Sequence, residues 1–350
     1  MKTSFPVAAL AAALLPCAAF AHDVSALDHA PIGVMGDHRH AAGELMFSYR
    51  LMHMEMSGVQ VGTGDISADT VATTIPNRFS GMAGQPPTLR IVPKSMRMDM
   101  HMLGGMYGLS DRVTLMGMAN YVTREMDLIT YQGGMGTAVL GDFGTAPGGF
   151  GDTSLTALIG LGETVHLNAG ISIPTGPITK SGDVLTPMGM RQEMRLPYPM
   201  QLGSGTWDLL PGITYTDRTG PFGWGGQVKG TLRLGENDEN YHLGDTVTGT
   251  AWAAYALDPA VSVSLRAEGE SVGRIEGIDP AIMGPVQTAN PDFSGGERVT
   301  AFAGLNLVAT HGPLAAWRLG LEAGMPVVQD LNGPQMPRDW SLTLGIQKGW

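Results

Sequence analysis

The chain has 350 residues, of which 43% are hydrophobic, only 15% are charged and 50 are glycine. Its formal net charge of −11 argues against nucleic acid or an anionic membrane surface as partner. After the first twenty residues no apolar run is long enough to cross a bilayer as a helix, so a membrane protein of this composition must satisfy its backbone polar groups between strands, in a closed barrel.

Residues 1–21 read as a secretory signal peptide. Lys2 supplies a positive start, Val7 to Leu15 an apolar stretch too short to span a membrane, and Ala19-Phe20-Ala21 a small-x-small cleavage site. Cys17, the only cysteine, falls within it, so the mature chain from His22 carries no thiol and no disulfide. Residues 22–42 form an arm with His22, His29, His38 and His40 among Asp23, Asp28 and Asp37. Its place is a periplasmic arm or an internal plug. His22, as mature amino terminus, offers an amine beside an imidazole. His38 and His40, two residues apart on extended chain, point the same way. His22, His38 and His40 are therefore the candidate metal ligands, using nitrogen and oxygen donors.

Period-two alternation then recurs along the chain. It predicts strands over 44–56, 96–109, 113–126, 152–161, 165–174, 206–215, 226–234, 245–257, 261–271, 297–309, 314–325 and 340–350. Tight turns such as Ser110-Asp111-Arg112 and Asp258-Pro259 alternate with long Gly- and Pro-rich connections over 57–95, 127–151, 175–205, 235–244, 272–296 and 326–339. Short turns on one side and long loops on the other are the pattern of an outer-membrane barrel, here a single all-β antiparallel barrel of about twelve strands over residues 43–350. The last segment is the clearest. Trp340, Leu342, Leu344, Ile346, Lys348 and Trp350 share one face and Ser341, Thr343, Gly345, Gln347 and Gly349 the other, and a terminal aromatic strand is the expected recognition element for the barrel-assembly machinery. The expected location is the bacterial outer membrane, with lipid as the surrounding partner.

Alternation also sorts the faces. Arg50, His166, Asn168, Asp208, Lys229, Arg233, Arg266, Glu268, Glu270, Arg298, Arg318 and Glu322 fall on inward faces, since a charge in mid-bilayer costs about 2–4 kcal/mol. Of these, Arg50, His166, Asp208, Arg266, Glu268, Arg318 and Glu322 are expected to line the lumen. Methionine, with 23 copies, recurs at spacing two. Met52, Met54 and Met56 on the first strand, Met98, Met100 and Met102 on the second, and Met116 and Met118 on the third all face inward, opposite Leu51, Leu103 and Leu115. With neighbouring strands about 4.8 Å apart, they are expected to form one thioether patch.

The stretches Gly170-Ile-Ser-Ile-Pro-Thr-Gly176, Gly203 to Tyr215, and Glu322 to Gln335 resemble the meta-pathway phenol-degradation outer-membrane transporter family. Met35-Gly-Asp-His-Arg-His40, with Gly43-Glu44 and Ser48-Tyr49-Arg50, is similar to a methionine-rich branch of it. The resemblance spans most of residues 31–350 and implies uptake of aromatic compounds, although this chain is methionine-rich and aromatic-poor.

Two functions follow. The first is an outer-membrane channel or transporter for a small solute, aromatic or apolar, with no required cofactor. The alternative is a copper-binding outer-membrane protein, because thioethers favour Cu(I). No catalytic constellation stands out. Gly148-Gly149-Phe150-Gly151 leads into no helix and is no phosphate cradle, and His166 with Asn168 is the nearest fragment of a nucleophile-activating pair. A non-enzyme is expected.

Overall fold

A computed structural model describes residues 25–350; the expected signal peptide and His22 lie outside the described residues. Twelve long strands run in chain order: β1 Leu45–Ser57, β2 Ile91–Ser110, β3 Val113–Tyr131, β4 Thr153–Gly160, β5 Val165–Ile173, β6 Trp207–Thr219, β7 Phe222–Leu234, β8 Thr246–Asp258, β9 Val261–Val272, β10 Gly296–Val308, β11 Trp317–Gln335 and β12 Arg338–Gly349. Each pairs antiparallel with its neighbours in sequence, and β12 closes on β1 with Met46 opposite Gly349 and Met54 opposite Ser341. The ring leaves no free edge, as the absence of water in the bilayer core demands. Among the described residues no helix is long and apolar enough to cross a membrane; the one α-helix there, Ala68–Thr74, is in the first long loop, capped by the Ser67 side chain.

All twelve expected strands are present, but several run longer than the alternation marks. β2 has 20 residues, and β3 and β11 have 19 each, against about 10 for a spanning strand. Their extra residues stand on the long-loop side; in β2 and β3 loops cover both faces there, with Ile91 and Leu128 in one buried cluster and Val92 and Tyr131 in another, so the period is lost. The expected long loop over 326–339 is therefore absent. β11 runs through Pro326 to Gln335, with a register shift between Val299 and Thr300 opposite that proline, and only 336–337 separate it from β12.

The outer surface follows the chemistry of lipid. Leu103, Leu115, Leu155, Leu167, Ile213, Leu265, Leu321, Leu344 and Ile346 are exposed on it. Aromatic pairs stand near the short-turn end, Phe47 with Trp350 and Phe222 with Tyr255. Near the opposite end Tyr121 packs edge-on to Phe150. Such belts mark the two membrane–water boundaries. The protein is an outer-membrane β-barrel. His53 and His101 do face outward, as alternation requires. His53 Nδ1 is 2.7 Å from Asp99 Oδ1 and its ring lies against Trp340, and His101 Nδ1 is 2.7 Å from the Tyr49 hydroxyl.

This face assignment is testable by charge placement. Leu344→Arg puts a guanidinium into lipid at a cost of about 2–4 kcal/mol. Thr343→Arg puts it beside a lumenal cavity that can hydrate it. Urea unfolding in lipid vesicles should show the Leu344 variant clearly less stable; equal stability would refute the assignment.

Candidate functional site

The described arm is a plug. Ala26 N–H donates to Pro259 O in the β8–β9 turn, and Gly43 N–H donates to Gly108 O near the β2–β3 turn, so both limbs leave at the short-turn, periplasmic end. Between them residues 29–38 rise into the lumen as a loop. Ile32, 1% exposed, packs where the wall carries Gly320 and Gly345; a Cβ on either glycine would come within 2.7 Å of its side chain. Ala30 and Val34 pack on Trp252.

Polar wall residues hold the loop. Gly33 N–H donates to Glu322 Oε2 at 3.1 Å. Glu322 accepts two parallel bonds from Arg266, each 2.9 Å, and Arg266 also donates to Glu268 and lies over the Phe302 ring at 3.6 Å. Both members of the Arg266–Glu322 pair are almost fully buried, so removing one would leave an uncompensated charge. Arg318 donates to Ala30 O, Asn306 and Gln347. His166 Nε2 is 2.9 Å from Gly36 O, and Gln227 Nε2 donates to Met35 O at 3.0 Å. Gly36 has φ +67°, the left-handed turn that starts the outbound limb.

His166, Arg318 and Glu322, expected from alternation to line the solute path, thus face inward but grip the plug instead. His166 beside Asn168 is an anchor rather than an activated base. Asp208 is also sequestered, bound by Thr206 and paired with Arg233 at 2.5 Å. Arg50, Arg266 and Glu268 do border open space.

That space lies above the plug. A cavity of about 310 Å³ rests on Ile32, Gly33 and Met35 and is walled by Arg50, Met52, Met54, Met98, Met100 and Met102 on one side and Glu268, Glu270 and Phe302 on the other. A second cavity of about 560 Å³ continues it outward, sharing Met54, Met98, Met100 and Arg338 and adding Met56, Met96 and Met126. Extracellular loops fold down as its roof. Leu196, Tyr198, Met200, Tyr241, Ile282, Val286 and Ala289 form one buried apolar cluster with Met96 and Met126. Arg195 ties this roof together, reaching Asp279 at 2.7 Å and Glu239 at 3.4 Å, and Asp279 N–H donates to the Tyr198 hydroxyl.

The methionines divide into two groups. Register sets Met52, Met54 and Met56 directly opposite Met100, Met98 and Met96. The third strand places Val122, Arg124 and Met126 against those positions, not Met116 or Met118. Met116 and Met118 lie lower, opposite Met106 and Gly104, around a small void with Met46, Arg50 and Asp37 beside the plug. The single patch expected from spacing is therefore split: period two gives the face, but the strand offset that sets height along the barrel is not written in it.

The base of the plug gathers histidines. The His29 and His38 rings meet edge-on at 4.4 Å, with His40 4.9 Å from His38. Asp37 Oδ2 accepts from Ala30 N–H at 2.8 Å; its Oδ1 is 3.0 Å from His38 Nδ1, close but out of line for a hydrogen bond. Burial, with His38 and Arg318 nearby, holds His29 well below the ordinary histidine range. Burial and His38 push His40 down to about 4, against the opposing pull of Glu44. Burial alone would raise Asp37, but His38, then His29 and Arg318, outweigh it and keep the carboxyl below the usual range. His29 and Asp37 join His38 here although only His38 and His40 stood out by spacing; folding the loop back on itself brings them together.

No protein-family model matches the chain, and no curated protein sequence does. Among solved structures it is similar to the COG4313 outer membrane channel from Pseudomonas putida F1, with a TM-score of 0.55 and 16% identity over 91% of this chain and 99% of that one. Two looser similarities, too loose to bear on topology, are to a Pseudomonas aeruginosa FadL homologue (TM-score 0.43, 9% identity, 87% of this chain and 89% of that one) and to the P. putida toluene transporter TodX (TM-score 0.42, 9% identity, 89% and 91%). The first shows a shared barrel fold.

Two predictions concern the plug. Gly33→Leu cannot keep the tip seated, because even a Cβ there would fall 2.1 Å from Glu322 Oε2. Its planar-bilayer conductance should exceed that of Ala42→Leu, an exposed control on the same arm; equal conductances would disprove the seating role. The second concerns pH. His29 and His40 titrate lower when folded than the roughly 6.5 of an unfolded chain, so folding binds fewer protons. Their contribution is full above pH ~6.5 and is lost as pH falls towards about 4. Conductance should rise between pH 7.5 and 5, and a pH-independent closed state would contradict this.

Proposed function

We propose that this barrel is a channel for uptake of a small apolar solute across the outer membrane, with aromatic compounds the favoured class. The observation that carries the reading is the cavity of about 560 Å³ under the apolar loop roof, walled by paired methionines and continuing down to the plug. Thioether side chains are flexible and polarisable, so such a wall adapts to apolar solutes of varied shape. A path from roof to plug, closed at rest at both ends, suits a solute that enters from outside and leaves past the withdrawn plug. The resemblance of Gly170–Gly176, Gly203–Tyr215 and Glu322–Gln335 to phenol-degradation transporters points the same way.

The copper alternative for the methionine wall is the weaker one. Arg233, Arg298, Arg338 and Arg266 are neutralised by Asp208, Glu270 and Glu322, but Arg124 at the upper cavity and Arg50 at the lower have no carboxylate partner among the described residues, and these two fixed charges oppose passage of a soft cation.

Cells expressing the protein should accumulate radiolabelled toluene or phenol faster than cells without it. Changing Met54, Met98 and Met100 to Leu preserves volume and should leave uptake within about twofold, while Met98→Asp with Met100→Asp should lower it severalfold. If the leucine variant loses copper tolerance and the aspartate variant transports normally, the solute reading fails.

A further inference from the structure

The neck of the plug loop holds a cluster that the channel reading leaves unused. One donor atom from each of His29, Asp37 and His38 lies within 4.8 Å of the other two, the only such trio among the described residues. The nitrogens His29 Nδ1, His38 Nδ1, His38 Nε2 and His40 Nε2 are all buried without a hydrogen-bond partner. Buried polar atoms are nearly always partnered, because leaving one unpaired destabilises the fold. A neutral imidazole keeps one lone pair, so the three rings offer three, and three in one corner call for an occupant that accepts lone pairs.

We propose that His29, Asp37 and His38, with His40 as an adjacent fourth donor, form a site for a borderline divalent cation, Zn2+ or Cu2+, which clasps the neck of the plug.

The donor set selects the ion class. Imidazole and carboxylate without thiolate suit Zn2+ and Cu2+; Mg2+ and Ca2+ demand mostly oxygen, and Cu+ prefers sulfur. Ligand bonds of about 2.1 Å in a tetrahedron set donors about 3.4 Å apart, so atoms within 4.8 Å of one another need close by at most about 1.4 Å, within reach of ring rotation. The carboxylate is already oriented. Asp37 Oδ2 is held by Ala30 N–H, and Ala30 O is held in turn by Arg318, the kind of outer support that fixes a metal ligand. Positive charge nearby does not claim Asp37. Arg318 is committed to Ala30, Asn306 and Gln347, and His38 is the only ion-pair partner of Asp37 among the described residues.

Position gives the site its consequence. His29 is on the inbound limb and Asp37 and His38 on the outbound one, with the tip Ile32-Gly33 between them. A cation joining the limbs closes the loop at its neck and keeps the tip narrow enough to seat against Arg266 and Glu322. Its removal frees the limbs to part and the tip to leave.

The test uses the mature full-length protein, purified in detergent and stripped with EDTA. ZnCl2, CuCl2, MgCl2 and CaCl2 are titrated separately by calorimetry. About one equivalent of Zn2+ or Cu2+ should bind with micromolar affinity or better, and Mg2+ and Ca2+ should not bind. His29→Ala and His38→Ala should each weaken binding at least about tenfold, while His22→Ala should leave it unchanged. Electron paramagnetic resonance of the Cu2+-loaded wild type should show coupling to two or three imidazole nitrogens, a readout that stands even where a variant folds poorly. In planar bilayers EDTA should raise conductance and Zn2+ restore it. Absence of stoichiometric binding, binding lost only in His22→Ala, or a copper spectrum without imidazole coupling would overturn the proposal. Calorimetry and the copper spectrum use no transport, so the site stands or falls on them apart from the channel reading.

Discussion

In hydrocarbon a backbone N–H or C=O without a partner has no water to turn to, and each unpaired group costs several kcal/mol. Closure of β12 on β1 is how this chain meets that demand, and everything else hangs from it. The ring fixes which side chains face lipid, hence which face inward. It brings Met52–Met56 and Met96–Met100 edge to edge and sets Arg266, Glu268 and Glu322 on the opposite arc. It also creates an interior large enough to leak, so the chain must fill it. The lower part is filled by residues 25–42 and the top is covered by inward-folded loops, which leaves the two cavities between them.

The interior divides by chemistry. Where the plug seats, the wall is charged and paired, and buried ion pairs of this kind gain specificity of position more surely than stability. Glu322 Oε2, already bonded to Arg266, also accepts the Gly33 N–H, and since a Cβ at residue 33 would fall 2.1 Å from that oxygen, a glycine is what brings a backbone donor so close. Where the space is open, the wall is thioether and apolar, without a fixed geometry to enforce. Seating needs register and passage needs tolerance, and the side chains differ accordingly.

Much of this was legible in the sequence. Alternation marked all twelve strands and put Met54, Arg266 and Glu322 on the inner face, because burial on one side and lipid on the other impose period two without exception. Three things were not legible. Strand ends beyond the membrane, as in β11 past Pro326, carry polar residues on both faces and lose the signal. Height along the barrel depends on offsets between strands, so Met116 and Met118 could not be told from the upper methionines. Contacts made by irregular chain, such as Gly36 O with His166 or Asp37 with His29, have no period at all. The histidines of the arm were visible as a group, but their meeting depends on the loop turning at Gly36.

The plug enters and leaves by the same door. Because residues 26 and 43 are both tied to periplasmic turns, the loop is a tethered stopper rather than a threaded strand. It can be drawn out and reseated without breaking any rung of the barrel. A molecule pressing from the cavity and a pull from the periplasm act on it in the same direction, so the seal resists nothing that arrives from the cell's side by traction. Pressure from the outer cavity and traction from the periplasm thus lie along the one path by which the loop leaves, and the wall of the barrel stays whole in either case.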